Sequence, residues 1–191
     1  MIDVDIQILR VLSDTATSIF LNKKSNVARI NSIDILDSEK KRLTENIIEP
    51  LDSAIQYLQR DIYNILIGIP VYSYFLSNQE GVNLFDSAQL ISIIVDIDNF
   101  DNFGNLLSYS GFTPNSRYYN KKLHKLLLKI GYKLIKNNQK YNSIYESAVE
   151  RYRKKYPKYT DDHIHNMAKR IVIKRFLKNL YISWKAIDKN F

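Results

Sequence analysis

Apolar residues along this chain recur mostly at spacings of three and four, the period of helices that bury one stripe. The start of the chain departs from it: Val4, Ile6 and Ile8 alternate with Asp3, Asp5 and Gln7, the period of a strand. A helix from Asp3 through Leu21 also fits, with Val4, Ile8, Val11, Leu12, Ala16, Ile19 and Phe20 facing inward. The helix is the better reading, because no other stretch offers an isolated strand a partner. Asn22 to Ile35 is polar and reads as a loop. Beyond it, Ser38 can cap a long helix whose stripe is Leu43, Ile47, Leu51, Ile55, Leu58, Ile62 and Leu66. Pro50 inside that stripe predicts a kink or a restart.

Gly68-Ile69-Pro70 ends this helix, Ser77 to Gly81 is a turn, and Asn83 or Asp86 caps the next helix, through Val95. Gly81 has two readings: an ordinary turn glycine, or the glycine with which helix-hairpin-helix modules bring backbone amides onto phosphate. Gly111 suits the position after a helix carrying Leu106, Leu107 and Tyr109, and Pro114 prevents continuation. A strongly cationic helix follows. Lys121, Lys122, Lys125, Lys129, Lys133 and Lys136 fall within roughly one third of its circumference, with Leu123, Leu126, Leu127, Ile130 and Leu134 on a separate arc. After Asn137-Asn138-Gln139, a helix from about Tyr141 to Tyr156 ends in a run of cations and tyrosines. Thr160 caps the last helix, which buries Val172, Ile173, Phe176, Leu177, Leu180, Trp184 and Ile187. These patterns predict an all-α fold of about six or seven helices: a long N-terminal helical arm plus a compact basic bundle. The expected units are residues 1–80, acidic, and 81–191, basic.

Charge sharpens the division. Residues 1–110 hold 8 Lys+Arg against 15 Asp+Glu, a net −7, whereas residues 111–191 hold 20 against 5, a net +15. An AT-rich coding bias accounts for part of the lysine, but not for its segregation. A basic half of this density points to a polyanion. No positively charged segment with an apolar core opens the chain, and the apolar run from Ile62 to Leu76 is broken by Asn64, Gly68, Pro70 and Ser73. The expectation is a cytoplasmic protein without membrane contact, nucleoid-associated where it binds DNA.

Little in the sequence points to catalysis. With no cysteine, disulfides, cysteine–zinc sites and thiol chemistry are excluded. His163 and His165 stand two apart on a helix, so their imidazoles point to different sides, and no metal or other cofactor is expected. Asp96, Asp98 and Asp101 read as a solvated acidic turn. The run Arg151-Tyr152-Arg153-Lys154-Lys155-Tyr156-Pro157-Lys158-Tyr159 interleaves cations with rings, which suits phosphate neutralisation and ring stacking; a solvated helix end is the plainer reading.

The stretch from Phe85 to Tyr145 resembles the C-terminal domain of the Piv-like DNA invertases and the related serine-dependent insertion-sequence transposases. Ile97-Asp98-Asn99-Phe100 stands for that family's acidic, phenylalanine-marked loop, and Tyr109-Ser110-Gly111-Phe112-Thr113-Pro114 for its Tyr-x-Gly-Leu-x-Pro signature. Asn120-Lys121-Lys122-Leu123-His124 stands where Asn-x-x-Leu-Arg would open a helix, and Ala168 to Trp184 resembles the closing helix. The similarity covers roughly residues 40 to 186. It implies a helical arm used for self-association and a serine nucleophile in the loop before Asn120. Ser116 is the only hydroxyl of that type there, but the family's Ser-Gly pair is absent, the loop is shorter, and His124 replaces the arginine. Ser13-Asp14-Thr15-Ala16 resembles the Asp-Ala pair closing the family's nuclease-like domain, for which this length leaves no room.

The resemblance and the charge together lead to one expectation, the DNA-engaging half of a transposase without its chemistry. DNA, or structured RNA, would meet Arg117, Lys121, Lys122, Lys125, Lys129 and Lys133, then Arg151, Arg153, Lys154, Lys155 and Lys158, with Arg170 and Lys174 on the last helix. Two alternatives stay open. One is an interaction or self-assembling module using its acidic and basic halves, or a homodimer through the 38–67 arm. The other is a recombinase subunit using Ser116 with a nuclease domain supplied in trans.

Overall fold

A computed structural model describes residues 2–114 and 117–189, and no strand occurs among them. The α-helical segments are α1 (Ile2–Ser32), α2 (Asp37–Leu43), α3 (Glu49–Leu66), α4 (Pro70–Tyr74) and α5 (Leu84–Ile94), then α6 (Phe103–Tyr109), α7 (Lys121–Asn137), α8 (Gln139–Lys155) and α9 (Asp161–Asp188). A π turn at Thr44–Ile48 joins α2 to α3 as one helical run, and α4 is little more than a turn. The fold is all-α, as the periodicity predicts.

α1 corrects two expectations. It runs unbroken to Ser32, so most of the loop expected over 22–35 is helical and only a short link precedes Asp37. An arm helix needs one narrow buried stripe, and its polar residues can stay wet: Lys23 pairs with Asp52 of α3, and Ile30 supplies the buried contact. The inward face is also rotated. Ile6, Leu9, Ser13 and Ala16 are buried, whereas Val4, Ile8 and Val11 are exposed. Arg10 donates to the Ser92 carbonyl of α5 at 2.8 Å, and the small residues Ser13 and Ala16 let α1 pack closely on its neighbours. Leu12 and Ala16 are inward as expected, and the outer members Val4, Ile8 and Val11 are not, because both faces of α1 carry apolar side chains.

The second limb of the arm begins at Asp37, after Leu36 and without a side-chain cap, not at Ser38. Pro50 is accommodated in the first turn of α3, and the irregularity lies just ahead of it, where the Glu49 N–H reaches the Thr44 carbonyl. This wide turn inserts a residue and shifts the stripe, so Ile48 is buried in place of Ile47. Ile55, Ile62 and Leu66 then continue the buried face as expected.

α5 is the central helix. Its residues Ala88, Leu90, Ile91 and Ile94 are buried together with Asp86, Ser87 and Ser92, so it is covered on every side. Asn83 caps it, accepting from the Asp86 N–H at 2.9 Å. It ends at Val95, whose φ of 66° and ψ of −64° close a γ-turn in which the Asp96 N–H donates to the Ile94 carbonyl at 2.8 Å. One buried cluster draws Leu9, Ile62, Leu66 and Val71 from the first eighty residues together with Ile91, Leu127, Ile130, Phe176 and Trp184, so the two expected units share a core. A smaller cluster of Ala148, Val149, Ile164 and Ala168 holds the far ends of α8 and α9 together. Among the described residues, no helix is long and apolar enough to cross a membrane.

Candidate nucleic-acid interface

Residues 109–112 and 120–124 fold onto one another. Asn120 caps α7 through its side-chain oxygen, 2.9 Å from the Leu123 N–H. Its side-chain amide donates to the Tyr109 hydroxyl at 2.7 Å, and its backbone N–H to the Tyr109 carbonyl at 2.8 Å. One turn on, the His124 ring stacks on Phe112 with centroids 4.6 Å apart, and its Nδ1 lies 3.0 Å from the Ser110 carbonyl. Gly111 makes the junction, with φ of +76° and a position where a Cβ would meet the Tyr119 ring at 2.6 Å. The start of α7 is therefore fixed against the end of α6. Ser116 lies outside the described residues. Arg117 and Tyr118 follow it at the surface, the tyrosine 93% exposed.

The structure divides the predicted lysine stripe of α7. Lys121, Lys125 and Lys136 are exposed and take part in no ion pair among the described residues. Lys122 reaches Asp14 of α1 at 2.5 Å. Lys129 and Lys133 both turn to Asp86, a carboxylate with no exposed surface: Lys133 Nζ donates to Oδ2 at 2.5 Å, and Lys129 Nζ lies 2.8 Å from Oδ1. The Lys129 contact is an ion pair lacking hydrogen-bond alignment. Asp86 thus serves as the third helical residue of α5, where the helix dipole favours an anion, and as internal counter-ion to α7. Nothing in a helical wheel shows this, because the partner is 47 positions away.

At the far end of the bundle the cations of α8 are partly paired. Arg153 donates to Asp161 at 3.0 Å and Lys154 to Glu150 at 2.7 Å. Arg151 lies over the Tyr152 ring and Lys155 over Tyr156, at 5.1 and 5.3 Å from the centroids. Tyr152, Tyr156, Tyr159 and His163 make a continuous run of rings around the turn, Tyr156 and Tyr159 stacking at 5.0 Å. The rings the sequence offered for stacking on bases are thus engaged with one another, and Lys158 is exposed beside them. On α9, Arg170 is exposed and Lys174 half-buried. Between α8 and α9 a groove of about 340 Å³ carries Arg151 and Arg175.

The histidines go separate ways. His163 meets Tyr159 edge-on, whereas His165 Nδ1 is hydrogen-bonded to the Tyr145 hydroxyl, whose pKa burial pushes up while the Arg153 charge opposes the shift. Among the described residues, no three of His, Cys, Asp or Glu converge as a metal cage. Gly81 is explained without a phosphate: at φ of +96°, a Cβ there would lie 2.8 Å from the Lys133 carbonyl oxygen, so glycine lets the turn sit against α7. Comparison with protein-family models, curated proteins and solved structures finds no match for this chain.

Proposed function

We propose that this chain binds double-stranded or structured nucleic acid, DNA foremost, as the DNA-engaging part of a transposase-like protein, without catalysis of its own. The observation that carries this reading is what remains after internal pairing. Lys122, Lys129 and Lys133 are matched by Asp14 and Asp86, while Arg117, Lys121 and Lys125 at the start of α7 have no acidic partner among the described residues. Unmatched cations on a rigid helix start suit phosphate oxygens, and phosphate contacts position a protein without reading sequence. Low sequence specificity follows. Lys155, Lys158, Arg170 and Lys174 extend the basic surface along α8 and α9. The experiment is a salt titration of binding to duplex DNA by the native chain and by the Arg117→Gln/Lys121→Gln/Lys125→Gln variant. Log affinity should fall linearly with log salt, and the variant's slope should be shallower by roughly 2–3. No binding by the native chain at about 50 mM salt would end the nucleic-acid reading.

A second reading, self-association through the arm, is favoured by one observation. Ile33 and Leu36 in the link before α2, Ile47 in the π turn and Tyr57 on α3 are exposed at 44, 72, 36 and 62%, apolar surface that the single chain leaves wet. Sedimentation equilibrium tests it. Concentration-dependent dimers that Leu36→Lys/Ile47→Lys dissolves would support it; a monomer at all concentrations would remove it.

A further inference from the structure

A second candidate site lies away from α7 and α8. α1, α4, α5 and α9 enclose a cleft of about 620 Å³, a volume in the range of small-ligand sites. Its wall is apolar: the half-buried Ile69, Pro70 and Val95 offer its surface, backed by Ile6, Val71, Ile91 and Trp184, which are almost fully buried. Its mouth carries three carboxylates, Asp96, Asp98 and Asp188, and no cation lines it. The nearest cations line an adjoining depression: Lys185, already held by Asp98 at 2.5 Å, and Lys189.

The backbone is committed to this arrangement. Val95, also in the wall, is the one non-glycine residue of positive φ among those described, and β-branched residues enter that region only under strain. The γ-turn it makes ends α5 abruptly and delivers Asp96 to the mouth, where its carboxylate accepts from the Asp98 N–H at 2.7 Å. Burial first, then the charges of Asp96 and Asp98, raise the Asp188 carboxyl above its ordinary range, while the Lys185 charge and then Trp184, as a hydrogen-bond donor, oppose the shift without cancelling it. Negative charge is thus gathered at the rim of an apolar hollow with too little positive charge to balance it.

We propose that this cleft binds an organic cation: an apolar body seated against Ile69, Pro70 and Val95, over the edge of Trp184, with an ammonium head on Asp96 and Asp188. Charge and apolarity fix the class together. A metal ion would leave the apolar wall unused, and a neutral or anionic ligand would leave the carboxylates unmatched or opposed. None of the cleft residues belongs to α7 or α8, so the assignment stands apart from nucleic-acid binding.

Trp184, the only tryptophan, reports on the cleft directly. The full chain is titrated below micelle formation with octylammonium, 1-octanol and octanoate, following Trp184 emission and, independently, heat. Octylammonium should saturate, octanol should bind about tenfold more weakly, and octanoate should not bind. Asp96→Asn/Asp188→Asn should weaken octylammonium about tenfold and leave octanol unchanged, while Ile69→Phe, which narrows the cleft, should weaken both. A native urea midpoint for each variant shows that it folds. Equal affinity for octylammonium and octanol, an unchanged double variant, or no saturable response would overturn the proposal. So would concentration-dependent oligomers that octylammonium dissolves, since the occupant would then be a basic segment of a second copy.

Discussion

Lys133 Nζ donates to Asp86 Oδ2 at 2.5 Å, joining the last turns of α7 to the first turn of α5 across 47 positions of sequence. Asp86 has no exposed surface, whereas the Lys133 and Lys129 side chains remain 26 and 54% exposed, so the carboxylate bears most of the desolvation. Such a charge is tolerated only while it is paired.

Removing one partner should therefore cost more than removing both. Lys133→Met leaves Asp86 buried with only the more exposed Lys129, and should lower unfolding free energy by about 2–3 kcal/mol. Adding Asp86→Asn neutralises the stranded charge, and the double variant should recover part of the loss. Urea denaturation of the two single variants and the double gives the coupling directly. Additive single effects would show that the pair contributes no more than its separate contacts.

Gly81 bears on the same junction. Its φ of +96° already disfavours any side chain, and the Cβ of an alanine would press on the Lys133 carbonyl, which backbone cannot yield cheaply. Gly81→Ala should destabilise by about 3 kcal/mol, read as a fall in the thermal midpoint. Salt-dependent nucleic-acid affinity at a temperature where the variant is folded should be unchanged. A native midpoint with weakened duplex binding would instead restore the phosphate-contacting role that helix-hairpin-helix modules give such a glycine.

What could be read from the sequence follows a physical division. Local rules held: Asn83 and Thr160 cap their helices, Gly111 takes positive φ after α6, and the apolar arc from Leu123 to Leu134 is buried. These depend on residues within a turn of one another. The exposed face of α1 and the fate of Lys129 and Lys133 depend on what packs opposite, and periodicity tells which residues share a face without saying what that face meets. The register error at Ile47 and Ile48 has a narrower cause, since the π turn widens the spacing after Leu43 to five residues and so exchanges Ile47 for Ile48. The cleft beneath Val95 left one visible trace, Asp96 and Asp98 of the acidic turn, and the apolar wall behind it comes from four separate helices.

The raised carboxyl of Asp188 implies a pH dependence of definite sign. Its folded pKa lies above its unfolded value, chiefly through burial and then through Asp96 and Asp98. The folded state therefore holds the proton more tightly, and its stability falls as pH rises through the interval between the two values. Asp188→Asn abolishes that loss. It should be slightly more stable than the native chain at neutral pH, by less than about 1 kcal/mol because the group is mostly solvated. The difference should vanish once pH falls below the carboxylate range. Urea midpoints across that range test it, and a variant less stable than native at neutral pH would show that the Lys185 and Trp184 contacts together outweigh burial and repulsion.

The division of α7 predicts a double dissociation. Lys121 and Lys125 are exposed and unpaired among the described residues, whereas Lys129 and Lys133 hold the buried Asp86. Lys121→Gln/Lys125→Gln should leave the urea midpoint near native, since exposed lysines contribute little to folding. The same change should reduce the slope of log affinity against log salt by roughly 2. Lys129→Gln/Lys133→Gln should do the reverse, costing about 3 kcal/mol of stability by stranding Asp86 while keeping the slope within roughly one of native. Both variants remove two positive charges, so a general effect of net charge would move their salt slopes alike. Equal slopes would therefore place the phosphate contacts elsewhere, with Lys155, Lys158 and Arg170 the next to be neutralised.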